Sequence, residues 1–315
     1  MMQTPVRTVA ARGDETLALI SLPLGGQPGF EEFLGAWLLR SPRETVLVDC
    51  GVAGSYVRLK HALDKLNVAP GLLLLTHIHL DHCGAAGCLC RDYPGLKVFC
   101  CERAAAHLIS PEKLWSATAS TLGAAMAAAY GAPLPVPPAA IVARERLPSA
   151  WQVIDTPGHA SHHVSFLRAF AGRRLCFGGE ALGVVPGKGA ESWFADGRRR
   201  GGIRPATPPR YVPAIGRESM KKIAAGWDLF CAGHFGASAD RTLPERALKQ
   251  SFLWEKTVAR ALASGLSENE TVALLRHEDP ELANLAAYTE SAQAREEYFL
   301  ANSVRGFKRF LDAGA

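Results

Sequence analysis

The stretch THIHLDHCG, Thr76 to Gly84, sets three histidines and an aspartate within six positions: His77, His79, Asp81 and His82. A surface turn has no need of that density, and a core cannot bury it without partners. Neutral imidazole and carboxylate are good ligands for zinc, iron or manganese. The spacing lets adjacent residues point in different directions. His77 and His79 can face one ion while Asp81 and His82 face a second, about 3.5–4 Å away. Two ions need more ligands than these four residues supply, and three later segments offer them: His159 in DTPGHASHH, Glu180 in LCFGGE and His234 in FCAGHFG. Each repeats one order, an apolar strand, a tight turn, then the ligand-type residue. Loops at the C-terminal ends of strands are where open α/β sheets place their ligands. A hydrogen-bonded polar turn would explain any one of these segments; four in succession favour a metal centre.

The elements that must position these residues are short apolar runs. Residues 16–22, 34–40 and 44–50, then GLLLLTH, KVFCCE, AWQVIDTPGH, HVSFLRAF, RRLCFGGE and WDLFCAGHFG, read as strands. Residues 55–66 have helical period, with Ser55 as the expected N-cap. Residues 102–130 are Ala-rich and expected to be helical, with Pro111 opening a second piece and PLPVPP a rigid linker after them. From Arg241 the pattern is helical to the end; Ser267 and Glu270 form a capping box, and Pro280 is expected to open a further helix. Strands and helices therefore alternate, an α/β class. The expected division is a catalytic domain over residues 1–240 and a helical C-terminal extension over 241–315, which covers the pocket or forms a homodimer contact.

Composition bounds the rest. With 315 residues, 48% of them apolar and 21% charged, the chain can bury a core without disulfide or metal staples. A net charge of +5 slightly favours an anionic partner but does not indicate nucleic acid. The start lacks the order of a signal peptide and no apolar run reaches spanning length, so a soluble cytoplasmic protein without membrane contact is expected. The eight cysteines sit inside apolar runs and read as buried reduced thiols, Cys83 among them. Cys88, Cys90, Cys100 and Cys101 lack zinc-finger spacing.

HIHLDH, TPGHASHH, GGEA and AGHFG, in that order, resemble the metallo-β-lactamase-fold hydrolase superfamily in its glyoxalase II-like branch, over roughly residues 15–240. The resemblance implies an αββα sandwich with a dinuclear site at one edge and two divalent ions, Zn2+ first, with Fe or Mn as alternatives. Carried over by position, His77, His79 and His159 hold the first ion, and Asp81, His82 and His234 the second. Asp49, in VLVDCG, matches the strand-end aspartate that supports the metal loop from behind. One position departs: Glu180 stands where the family usually has a bridging aspartate. The extra methylene adds about 1.5 Å of reach. It leaves three arrangements open: a bridge after a backbone shift, a ligand to one metal only, or a half-occupied site.

The activity this implies is hydrolysis of a small ester, thioester or lactone by a hydroxide between two metals, with Asp81 also orienting the hydroxide and passing a proton to the leaving group. Ala181, Leu182 and Gly183 follow Glu180 where acyl-homoserine lactonases carry a tyrosine, which counts against that substrate. Two alternatives stand: a mononuclear iron oxidoreductase of the persulfide dioxygenase type, built on His77, His159 and Glu180, or a non-catalytic metal-bearing ligand sensor. The long irregular stretch 186–213 is expected at the rim of the site. There Arg198, Arg199, Arg200 and Arg204 could attract an anion, and Trp193, Phe194 and Tyr211 could form an apolar wall; Trp193, Arg204 and Tyr211 are the substrate-contact candidates, against the simpler reading of a solvated charge run. Residues 108–135 are the expected opposite wall. His162 and His163 follow His159; one of them could face the pocket, but a strand-start hydrogen bond is the simpler reading.

Overall fold

The computed structural model describes residues 6–185, 202–234 and 236–314. Two mixed sheets stack face to face. The first runs β1 (Val6–Arg12), β2 (Glu15–Ser21), β3 (Gly35–Ser41), β4 (Glu44–Val48), β5 (Leu72–Leu74) and β6 (Lys97–Phe99), in that spatial order. Its first four strands are antiparallel; β4, β5 and β6 are parallel. The second has the order β11 (Ala237–Ser238), β10 (Leu229–Ala232), β9 (Arg173–Gly179), β8 (Val164–Phe170) and β7 (Gln152–Asp155), with β9 and β10 parallel.

Both faces of the central strands are buried, so they read as unbroken apolar runs whose side chains alternate between two cores. Trp37, Leu39, Val46, Val48, Leu72 and Leu74 point between the sheets, where they meet Phe166, Phe177 and Leu229. Ala36, Leu38, Leu47 and Leu73 point outward, under α1 (Tyr56–Lys65) and the helices that follow β5, α2 (Leu80–Cys83) and α3 (Ala86–Asp92). The outer face of the second sheet packs against Met220 of α7 (Pro213–Lys222) and Leu243 and Ala247 of α8 (Leu243–Ala263). The layers are therefore helix, sheet, sheet, helix. Between β6 and β7 lie α4 (Ala105–Ile109), α5 (Glu112–Leu122) and α6 (Ala124–Tyr130). The helices α8, α9 (Glu268–Glu278) and α10 (Glu290–Gly314) share a further core around Trp254, Leu275, Leu300 and Phe307. No described helix is long and apolar enough to cross a membrane.

Several local expectations change. Ser55 precedes α1 but makes no capping bond; its hydroxyl donates to Val52 O instead, 3.0 Å away. Pro280 opens a 3-10 segment, Pro280–Ala287, rather than an α-helix. The edge strand β1 and the helix α7 have no counterpart in the sequence reading: β1 is half exposed without clean alternation, and α7 starts at a proline inside a Pro-rich run. The Ser267–Glu270 capping box is present in both directions. All eight cysteines are unpaired, and seven are buried.

A buried side-chain hydrogen bond crosses between the sheets: Trp37 Nε1–H of β3 donates to Ala232 O at the end of β10, 2.9 Å away. Trp37→Phe keeps most of the packing but strands a buried carbonyl, a loss of about 1–3 kcal/mol. Urea unfolding should show a lower midpoint with an unchanged slope; an unchanged midpoint would show that the bond contributes nothing net.

Candidate metal centre

Five strand ends deliver the site. β4 ends at Asp49, β5 at Thr76 and His77, β7 at the turn to His159, β9 at Glu180 and β10 at His234. Asp49 is 2% exposed and sits at φ +56°, which turns its carboxylate back under the loop after β5. Its Oδ1 accepts from the Thr76 amide at 2.8 Å, and its Oδ2 from the Thr76 hydroxyl at 2.9 Å and from His82 Nδ1–H at 2.9 Å. Thr76 Oγ1, having given its proton to Asp49, accepts from His77 Nδ1–H at 3.1 Å.

The other histidines are held in the same way. His159 Nδ1–H donates to Ala206 O at 3.0 Å and His234 Nδ1–H to Phe33 O at 3.3 Å. Each outer nitrogen has an acceptor, so the network assigns the proton there and leaves Nε2 of His77, His82, His159 and His234 with an inward lone pair. His79 differs in presenting Nδ1, which lies 3.1 Å from His77 Nε2 and 2.8 Å from His159 Nε2. His82 Nε2 is buried with no hydrogen-bond partner. Converging lone pairs and an orphaned ring nitrogen are what a cation satisfies and protons cannot, so the residues fit divalent metal ions. Two groups form, within 4.8 Å inside each: His77, His79, His159 and Glu180, and Asp81, His82 and His234.

Glu180 joins them. Its Oε2 lies 2.9 Å from His159 Nε2, 3.3 Å from His77 Nε2 and 3.4 Å from His82 Nε2; its Oε1 lies 3.3 Å from His234 Nε2. Asp81 Oδ2 stands 3.8 Å from His234 Nε2 and 3.9 Å from His82 Nε2. Burial alone would raise the Glu180 pKa, but His159 and His234 outweigh it and hold the carboxyl well below its usual range. Burial works against charge on His82, yet Asp81 and Asp49 hold that ring well above its usual range. Burial and neighbouring imidazoles, His82 foremost for the one and His159 for the other, keep His77 and His79 well below theirs. The carboxylates thus draw positive charge to the inner face, a proton on His82 or a cation in its place, while His77 and His79 stay neutral.

The turn carrying Glu180 depends on Gly179 at φ +52°, where a Cβ would lie 2.3 Å from His163 Nε2. His163 accepts the Glu180 amide proton at that nitrogen, 3.1 Å away, and pairs through Nδ1 with Thr156 Oγ1 at 2.9 Å. It therefore places the glutamate's backbone, a more specific role than the strand-start bond expected of it.

The substrate-contact candidates fare differently. Arg204 does not stand at a rim: it is 3% exposed, and its Nε donates to Glu296 Oε2 at 2.6 Å, because a guanidinium inside the core needs a carboxylate partner. Tyr211 is buried against Phe307 and lines a cavity that also touches His159 and Glu180. Trp193, Phe194 and Arg198 to Arg200 lie outside the described residues. Thr76, Phe33 and Tyr130 were missed. Phe33 stacks on the His234 ring with centroids 4.2 Å apart. Tyr130 is buried, and burial, with Asp81 and Glu180 nearby, keeps its hydroxyl protonated. Only Thr76 carried a signal, its place between strand and first histidine.

Residues 36–210, more than half of the chain, match the sequence pattern of the metallo-beta-lactamase superfamily. The chain belongs to that superfamily. Among curated relatives of this superfamily member, a hydroxyacylglutathione hydrolase from Pectobacterium atrosepticum is 31% identical over 134 residues, 42% of each chain. An uncharacterized Bacillus subtilis protein, YobT, is 33% identical over 70 residues, 22% of this chain and 30% of its own. The chain thus spans less than half the length of these relatives. Among solved structures, a metallo-beta-lactamase superfamily protein from Sulfolobus tokodaii is 25% identical with a TM-score of 0.57, covering 74% of this chain and 85% of its own. One from Thermus thermophilus, 18% identical with a TM-score of 0.53 over 98% and 93% of the two chains, shares the fold.

Asp49→Asn places an amide where Asp49 accepts from Thr76 and His82. It should weaken metal binding about 10–100-fold, the usual effect of losing such a support. Chelator competition measures this; wild-type affinity would mean that Asp49 only braces the loop.

Proposed function

We propose that the chain is a metal-dependent hydrolase with a dinuclear centre, acting on a small ester, thioester or lactone. One observation carries the proposal: the two oxygens of Glu180 reach imidazoles of both ligand groups. A carboxylate so placed supports two ions over the single iron of a dioxygenase, which would use only His77, His159 and Glu180. It also favours the bridging arrangement for the longer side chain. The likeness to the Pectobacterium hydroxyacylglutathione hydrolase supports transfer of an acyl group to water.

Divalent ions bound here would supply an acidified water and an electrophile for a carbonyl oxygen. The chain's own groups divide the remaining work. His77, His82, Glu180 and His234 have side chains 0–6% exposed and keep bulk water from the inner face, while Asp81 is 19% exposed. Asp81 is therefore placed to take a proton on the inner side and release it to a leaving group on the outer.

The test is metal content by elemental analysis, together with turnover of an ester, thioester and lactone panel. The proposal expects two transition-metal ions per chain and hydrolysis of at least one substrate class, both lost on chelation. Glu180→Gln should lower affinity for at least one ion by about 10–100-fold or more. Glu180→Asp, which restores the family's usual residue, should keep both ions and hold or raise turnover. A single iron per chain would instead favour the oxidoreductase, and two bound ions without turnover of any substrate the sensor.

A further inference from the structure

We infer that the C-terminal helix α10 fixes the geometry of both halves of the metal centre, through the two backbone carbonyls that orient His159 and His234. The inference rests on the dinuclear reading above. Those carbonyls, Ala206 O and Phe33 O, belong to segments far apart in sequence, and α10 holds both.

On the His234 side the contact is aromatic and ionic. Phe299 of α10 stacks on Phe33 with centroids 5.3 Å apart and planes 23° apart, and Phe33 stacks in turn on His234. The Arg295 guanidinium lies 4.4 Å from the centroid of the same Phe33 ring, and its Nη1 donates to Gly29 O in the loop leading to Phe33. That loop presses on the start of α10 so closely that a Cβ at Gly29 would lie 2.5 Å from Ser291 O. Glu296, wholly buried, receives Arg295 Nε on Oε1 at 2.7 Å and Arg204 Nε on Oε2 at 2.6 Å. Arg204 also lies 4.7 Å from the Phe299 centroid, so one buried carboxylate ties α10 to both segments.

On the His159 side the grip is hydrogen-bonded. Ser303 Oγ donates to Pro205 O and Thr207 Oγ1 donates to Ser303 O, each at 2.8 Å. These bonds bracket Ala206. Gly306 closes the contact, since a Cβ there would lie 2.0 Å from Thr207 O. A helix packed only as a lid would not need bonds on either side of Ala206, whose carbonyl orients His159. Arg204, Arg295, Glu296, Phe299 and Ser303 are therefore positioning residues for the centre.

The experiment titrates the metal-free full-length protein with Co2+, followed by its visible absorption, with urea stability measured in parallel. Phe299→Leu leaves the ion cluster intact and should weaken one of the two binding steps by about 10–100-fold. Ser303→Ala should weaken the other step by a similar factor, and Ser303→Thr, which restores the hydroxyl, should recover it. Leu275→Ala, on α9 and outside every bond and ring contact just named, controls for stability: it should unfold more easily yet bind Co2+ as the wild type does. Wild-type affinities in both grip variants overturn the inference while leaving the dinuclear reading standing. So does loss of both steps in proportion to stability, or weakening of the same step by both variants. A wild-type protein that takes up no Co2+ overturns both.

Discussion

The carboxylate of Glu180 lies between two groups of imidazoles, and the surrounding structure follows from keeping it there. A buried anion needs either cations or donors around it. Here the facing atoms are ring nitrogens whose protons have been directed elsewhere, to Thr76, Asp49, Ala206 and Phe33. That leaves an inner surface of lone pairs and negative charge, stable without hydrogen-bond partners only if a cation fills it. Each outward bond requires a rigid acceptor, and each acceptor is either the end of a strand or a segment clamped by a helix. The parallel strands β4 and β5 supply the first kind, ending at Asp49 and Thr76.

The metal-loop cluster was legible because ligand chemistry and strand ends both leave local marks. HxHxDH after an apolar run, and three later histidine or glutamate turns after apolar runs, are patterns in one dimension. The strands were legible for a related reason, since strands buried on both faces read as unbroken apolar segments; their layering into two sheets came only from the family resemblance. Arg204 was misplaced because nothing local distinguishes an arginine that will meet a buried glutamate from one on a charged loop. Its partner, Glu296, lies 92 positions away. Phe33 and Ala206 were invisible for the same reason, since one acts by ring stacking and both by backbone carbonyls. Glu180, the one departure from the family pattern, was visible as a departure, but where its oxygens come to lie depends on the turn at Gly179 and on His163.

The C-terminal helices read as an appendage in sequence because they follow the last ligand-type residue. In the fold, α8 covers the second sheet, and α10 reaches the loops behind His159 and His234. Position after a catalytic segment says little about independence from it. The superfamily match ends at residue 210, so the helices that brace the site lie beyond the part of the chain that carries the family pattern.

The central claim is that Glu180 brings two ions into one centre. X-ray absorption fine structure at the zinc edge, on protein loaded with two equivalents, tests it most directly. The account predicts a metal–metal shell near about 3.5–4 Å, the separation that a shared carboxylate and a shared water allow. That shell should vanish in Glu180→Gln. Two bound ions without such a shell in the wild type would mean separate sites, and Glu180 would be a ligand to one of them only.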